Sequence, residues 1–239
     1  MPQTWVNALS RYNYPVDLTC YEQAENFPKF FDRQIKGDRS STMDFEDYFR
    51  VTIQNIEVWY EVVFWKLGKQ WRDNTTTEII ERFNVQPAVT VQKLTTHLKT
   101  FIDNPNKKNF NNFRELFGFR TESIAIVATF PAFSDPVRFP MVDARVAKWV
   151  NAHLDIHNAK NPKGLQLIKS RYGQNQSTVL TMSDFNFYSC WINWTRYMAN
   201  KLSQLTNNKE WRARDVEMAV FTAWGGGKCS HPWLRLNAI

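Results

Sequence analysis

The sequence has no long uncharged apolar run and only a few cysteines. No segment reaches the roughly eighteen apolar residues that a membrane span requires, and its first residues, MPQTWVNALSRYNYPVDLTC, hold no run of signal-peptide length. We therefore expect a protein without membrane attachment that works in the cytoplasm. The three cysteines, Cys20, Cys190 and Cys229, are an odd number without framework spacing, which favours reduced thiols over disulfides.

Alternation of apolar and polar residues, the mark of a half-buried strand, is also scarce. The segment STVLTM, residues 177–182, is its best instance, and helical spacing dominates elsewhere. We therefore predict an all-α fold. The chain carries ten Trp, eighteen Phe and eight Tyr, so it has ample large side chains for a core and is expected to fold as a monomer.

The predicted helices are separated by short turns. Residues 40–68 form the central candidate, and a capping box from Thr75 to Glu78 predicts a helix over 75–83. The first forty residues, which prolines interrupt, predict an extended arm with one or two short helices. The remaining predicted helices cover residues 89–103, 109–117, 122–133, 143–157, 183–205 and 211–224.

A surplus of positive charge points to a polyanionic partner. The formal net charge is +7 and the isoelectric point is near 9.3. Each Lys or Arg set against a phosphate releases condensed counterions, so nucleic acid is the first candidate. The alternative is that the charge serves solubility alone.

One stretch, NFRELFGFRTESIAIVATFPAFSDPVRFPMVDARVAKWV at residues 112–150, combines several signals. It reads as a helix, a glycine-containing turn, a helix, an extended loop, an aspartate and another helix. It resembles the helix-hairpin-helix DNA glycosylase superfamily, with LFGFRTESIA as the hairpin turn and FPMVD as the segment that carries the catalytic aspartate. The resemblance implies a single two-lobed helical domain over 1–239 with a DNA-binding cleft between its lobes. Within it, 106–150 would hold the hairpin and the catalytic segment, and 160–180 would be a polar connecting loop, interpreted as a lobe boundary or an insertion.

The turn could bind a phosphate on physical grounds that do not depend on the resemblance. A helix beginning after Gly118 would point unpaired backbone N–H groups and the positive end of its dipole outward, which suits a phosphate. Ala125 and Ala128 would let a second helix approach closely. The residues that we assign to DNA binding lie in the turn or after the aspartate: Gly118, Phe119, Arg120, Thr121, Ser123, Arg145 and Lys148.

Asp143 is the predicted catalytic residue. Breaking an N-glycosidic bond builds positive charge on the sugar, and a carboxylate beneath the ring can stabilise that charge while it orients or activates water. An aspartate before an amphipathic helix can equally be an N-cap. The two interpretations are compatible, because the resemblance also places the family's aspartate at a helix start.

The sequence departs from the family pattern in three places. Arg120 or Thr121 replaces the second turn glycine, one residue is inserted before Asp143, and the lysine of bifunctional members is absent, with Glu122 and Ser123 in its place. Without that amine there is no Schiff base with the abasic sugar. The resemblance thus implies a monofunctional enzyme, or one that only binds, and no cofactor.

A glycosylase must hold the extruded base against an aromatic or apolar wall. The candidates are Trp59, Tyr60 and Tyr188, of which we expect one or two to reach the cleft, since aromatic residues at helical spacing are mostly core. His153 and His157 stand at the (i, i+4) spacing of two metal ligands, but no third ligand accompanies them. We predict no metal site.

The leading hypothesis is a monofunctional DNA glycosylase that flips a damaged or modified base from double-stranded DNA and leaves an abasic site. The first alternative is a non-catalytic helix-hairpin-helix DNA-binding module of a repair, restriction or antiviral defence system. The second is a helical interaction protein whose basic charge is incidental.

Overall fold

The structure, a computed structural model, describes residues 2–14, 37–67, 89–118, 123–173, 179–206, 210–224, 236 and 239. Every regular element in these ranges is helical, which confirms the all-α prediction. The predicted helix at 75–83 and most of the predicted arm lie outside the described residues. The elements are α1 (Pro2–Ser10), α2 (Arg39–Thr52), α3 (Ile56–Leu67), α4 (Val91–Asp103), α5 (Lys107–Glu115), α6 (Ile124–Val127), α7 (Thr129–Ser134), α8 (Ala144–Asn158), a 3₁₀ turn (Met182–Asp184), α9 (Phe185–Leu205) and α10 (Ala213–Trp224).

The chain divides into two compact units. Unit 1 joins Met1–Asn13 to Ser123–Ile239, and unit 2 is Tyr14–Glu122. Residues 160–180 therefore lie inside unit 1 and are not a boundary between lobes. The boundary falls instead within the predicted hairpin. Along the described ranges, no helix has the length and apolar character needed to cross a bilayer.

In unit 2, the single helix predicted over 40–68 is two helices. Asn55 ends the first by donating its N–H to the Thr52 carbonyl at 2.8 Å, and its side chain caps the second by accepting the N–H of Glu57 at 3.0 Å. The indole of Trp59 secures the break by donating to the Ile53 carbonyl at 2.9 Å. The first helix is capped by Asp38, whose side chain accepts the N–H of Ser41 at 2.9 Å.

The core of unit 2 is aromatic. Trp59 is 1% exposed, and its ring lies 5.3 Å from Phe49, 6.2 Å from Phe113 and 6.3 Å from Phe117. Burying rings of this size supplies much of the apolar area that stabilises a small unit. The three phenylalanines come from α2, α5 and the turn after α5, so Trp59 joins α3 to these elements.

In unit 1, α10 is the central helix and packs against α1, α8 and α9. It carries charge into the core: Arg214 is fully buried, forms an ion pair with Glu217 and donates to the Tyr12 hydroxyl at 3.2 Å. A buried charge is tolerable only when it is paired and hydrogen-bonded. Arg214 is therefore a core residue.

The helix predicted over 122–133 is interrupted at Ala128. Pro131 lacks the N–H that an uninterrupted helix would donate to the Val127 carbonyl, and its ring crowds that oxygen. The chain consequently forms the short helices α6 and α7.

The helix predicted over 183–205 is preceded by a 3₁₀ turn. Thr181 caps that turn and forms a capping box with Asp184, and Asp184 is itself the N-cap residue of α9. The Asp184 carboxylate also accepts the backbone N–H of Arg171 at 2.7 Å. A loop residue is thus fixed to the start of α9.

Candidate functional site

Asp143 stands directly before α8 and caps it. Its backbone is extended, with φ −149° and ψ −176°, and its Oδ1 atom accepts the N–H groups of Arg145 and Val146 at 2.9 Å each. This confirms the N-cap interpretation. Within the described residues no donor bonds Oδ2, and the side chain is partly exposed. One oxygen therefore holds the helix while the other is available to a ligand.

Two buried aromatic side chains of α9 fix the extended segment that leads into Asp143. The Tyr188 hydroxyl donates to the Pro140 carbonyl at 3.3 Å, and the Trp191 indole donates to the Met141 carbonyl at 2.9 Å. Both side chains are fully buried. The position of the carboxylate is thus set by α9 as well as by α8. Sequence reasoning missed Trp191, because its partner lies far away in the chain.

The turn that precedes this segment is also anchored. The carbonyls of Pro136 and Val137 accept the N–H groups of Arg214 and Ala213 at 3.0 and 3.1 Å, which satisfies the first donors of α10. The Arg138 side chain pairs with Asp135 across the turn. The loop 135–143 is therefore held at both ends by neighbouring helices.

The two basic residues that follow Asp143 differ in their surroundings. Arg145 is partly buried, with its guanidinium 4.3 Å from the centre of the Phe221 ring on α10. Lys148 is exposed, and its ammonium lies 5.7 Å from the ring of Tyr172. Arg145 thus contributes to packing, whereas Lys148 is accessible to a partner.

The predicted hairpin differs from expectation on both sides of its turn. Gly118 has φ +55°, in the left-handed region that favours glycine, as a tight turn requires. Phe119, Arg120 and Thr121 lie outside the described residues. The next described helix, α6, begins only at Ile124 and belongs to unit 1, while α5 belongs to unit 2.

The start of α6 has little capacity for a phosphate. The N–H of Ile124 donates to the Leu180 carbonyl at 2.9 Å, and Ser123 is 8% exposed with no capping bond from its side chain. A helix of four residues also has a small dipole. The prediction of outward N–H groups directly after Gly118 is therefore not realised in α6.

The aromatic candidates for the base pocket have separate roles. Trp59 and Tyr188 are 1% and 0% exposed, so both are core residues and not pocket walls. Burial raises the pKa of Tyr188, whose hydroxyl is committed to the Pro140 carbonyl. Tyr60 is partly exposed, and partial burial raises its pKa as well.

The two histidines of α8 are also structural. His157 is 1% exposed, with its ring 4.9 Å from Trp149, 5.3 Å from Trp194 and 6.4 Å from Trp5. Burial, and next the charge of His153, lower its pKa to about 4. His153 itself stacks on Trp149 at 5.1 Å. Among the described residues no three His, Cys, Asp or Glu side chains gather as a metal site would require.

No protein-family model matches this chain, and neither curated proteins nor solved structures show significant similarity to it. The helix-hairpin-helix resemblance therefore rests on residues 112–150 alone. The function must be argued from the geometry around Asp143.

Proposed function

We propose that the protein is a monofunctional DNA glycosylase in which Asp143 is the catalytic carboxylate. The observation that carries this proposal is that the two carboxylate oxygens of Asp143 have different hydrogen bonds. Oδ1 accepts two backbone N–H groups at 2.9 Å, and Oδ2 is left without a donor in the described part of the chain. A carboxylate held in one rotamer but not fully bonded is suited to a positioned reaction.

The chemistry requires a fixed negative charge close to the sugar. As the bond between base and C1′ breaks, positive charge develops on the ring, and Oδ2 would face it from below. The same oxygen would orient the water that attacks C1′ and would accept its proton. The buried anchors Tyr188 and Trp191 support this role, because they prevent the segment that carries Asp143 from shifting.

The absence of a suitable amine makes the proposed enzyme monofunctional. Glu122 and Ser123 stand where a bifunctional relative would place its lysine. Lys148 is five residues beyond Asp143, and its ammonium lies over the Tyr172 ring. At about 100° per residue, it is turned well away from the carboxylate on α8. The product would be an intact strand with an abasic site.

A non-catalytic DNA-binding module is the second candidate, and one observation favours it. The capping bonds of Asp143 are sufficient to explain an aspartate at this position, since Asp is among the best N-cap residues. Under this alternative the carboxylate stabilises α8 and does nothing else. The two candidates predict different behaviour for a substitution that preserves the cap.

Asp143→Asn is that substitution. The amide oxygen of Asn can accept the same two N–H groups, and Asn caps helices as well as Asp does, so stability should change by no more than a few tenths of a kcal/mol. Base release should fall by 100-fold or more, at about 10-fold per 1.4 kcal/mol of lost transition-state stabilisation, while affinity for duplex DNA should be nearly unchanged. The assay incubates the protein with DNAs of differing modification and identifies free bases by mass spectrometry.

Asp143→Ala is the matched control. It removes the cap as well as the charge and should cost about 1 kcal/mol of stability. If Asp143→Asn keeps full base release, the catalytic assignment is wrong. If the wild-type protein releases no base from any DNA but binds duplex with a salt-dependent affinity, the binding module is the correct alternative.

A further inference from the structure

The polar loop that follows α8 is fixed against that helix by two asparagines. Asn151 accepts the N–H of Ser170 at 2.9 Å and donates to the Ser170 carbonyl at 3.3 Å. Asn158, two turns later on α8, accepts the N–H of Leu167 and donates to its carbonyl, both at 2.8 Å. Each side chain pairs with the N–H and the carbonyl of one loop residue, so Leu167 and Ser170 are both fixed against the helix.

The anchoring decides which side chains point outward. Leu167 and Ser170 are 2% and 1% exposed, whereas Lys169 and Arg171 are exposed. Two further basic residues of this region are exposed: Lys163, earlier in the same loop, and Lys148 on α8, whose ammonium lies 5.7 Å from the ring of Tyr172. We call the four residues Lys148, Lys163, Lys169 and Arg171 the basic strip.

The charge of this region is one-sided. No acidic residue occurs between Asp155 and Asp184, and Asp184 is buried with its carboxylate committed to the N–H groups of Arg171 and Thr181. Asp155 is exposed on α8 and reduces the local charge by one. The four basic residues of the strip and the one exposed acidic residue, Asp155, leave a formal charge of +3 here.

We propose that the basic strip binds the phosphate backbone of DNA. This inference rests on the proposed function, since it names the surface on which the DNA would lie. The strip begins at Lys148, which lies about 7.5 Å along the helix axis from Asp143 and on a different side of α8. Both belong to unit 1, and the strip does not depend on the predicted hairpin.

The rigidity of the loop distinguishes the strip from an ordinary solvated face. A flexible lysine-rich loop loses backbone entropy when it orders on a partner, at about 1–2 kcal/mol per residue. Here the bonds from Asn151, Asn158 and Asp184 have already fixed the backbone. Lys169 and Arg171 are two residues apart, a span of at most about 7 Å, so both can meet one strand.

The test replaces Lys169 and Arg171 with alanine together. Both side chains are exposed, and the backbone bonds of the loop do not involve them, so the fold should be retained. Loss of two phosphate contacts should reduce the slope of log affinity against log salt by about 1.8, which corresponds to about 60-fold weaker duplex binding at 0.1 M salt.

The matched control is Arg11→Ala with Arg196→Ala, which removes the same charge from exposed positions of unit 1 on other elements. It should leave the salt slope within about 0.3 of the wild-type value. If the two double variants bind DNA alike, the strip is not the DNA-binding surface. This result would leave the proposed function intact if the wild-type protein still releases a base. If the wild-type protein neither binds DNA nor releases a base, both proposals fail.

Discussion

Acidification should destabilise unit 1 through His157. In the folded protein the imidazole lies among Trp5, Trp149 and Trp194, where burial and the charge of His153 lower its pKa to about 4. In the unfolded chain its pKa is about 6.5. The unfolded state therefore takes up a proton first as the pH falls. The stability that neutral His157 provides is complete above about pH 6.5 and is lost as the pH falls towards 4.

The size of the effect follows from the two pKa values. They differ by about 2.5 units, and each unit corresponds to about 1.4 kcal/mol, so the maximum loss is about 3.5 kcal/mol. Between pH 7.5 and pH 5, where most of the difference develops, the loss should be about 2 kcal/mol. A loss of this size is a large part of the total stability of an ordinary domain.

The measurement is urea unfolding followed by tryptophan fluorescence at pH 5, 6 and 7.5. His157→Phe places a ring that cannot titrate among the same three indoles. Any stability that this substitution itself costs does not vary with pH. Between pH 7.5 and pH 5, the free energy of unfolding of the variant should therefore fall by about 2 kcal/mol less than that of the wild type. His97→Gln, which removes a partly exposed histidine of unit 2, should behave as the wild type does. If His157→Phe retains the full pH dependence, the buried imidazole is not its source.

Two further predictions concern the candidate site. Trp191→Phe removes the indole donor at 2.9 Å from the Met141 carbonyl, so it should lower the free energy of unfolding by about 1–3 kcal/mol and also slow base release in single turnover. The control is Trp211→Phe, which removes the indole that donates to the Thr206 hydroxyl at 3.1 Å and should lower stability without slowing base release. If both variants slow base release equally, Trp191 does not position Asp143. In the second prediction, borohydride should trap no covalent adduct between protein and abasic DNA, and breaks should follow only alkali treatment. A cross-link that maps to a lysine would contradict the monofunctional assignment.

The sequence predicted α8 and its cap because both signals are local. The 3.6-residue spacing of apolar groups and an aspartate at the first turn are readable without a partner. The break after Thr52 and the break at Ala128 were missed, although Asn55 and Pro131 are local signals for each. A long apolar pattern masked them, since apolar spacing continues across both breaks.

The supports of Asp143 could not be predicted in this way. Tyr188 and Trp191 bond carbonyls 48 and 50 residues earlier in the chain, and such pairs follow from the packing of α9 and not from spacing. The same applies to Trp59, whose burial depends on three phenylalanines of other segments. The sequence shows that the loop after α8 is polar. It does not show that Asn151 and Asn158 bond the backbone of that loop.

Unit 1 is formed from two separate parts of the chain, so some of its contacts form late during synthesis. The hydrogen bond between Arg214 and Tyr12 spans 202 residues, and α1 packs against α10 near the other end of the sequence. On the ribosome, the contacts of unit 2 become available once residues 14–122 have emerged, whereas α1 must wait until α10 is synthesised. Trp5 also lacks His157 and Trp194, its partners in the folded core, until α8 and α9 have been synthesised. Unit 1 is thus the part of a growing chain that exposes unburied indoles longest, and that a chaperone would have most reason to bind.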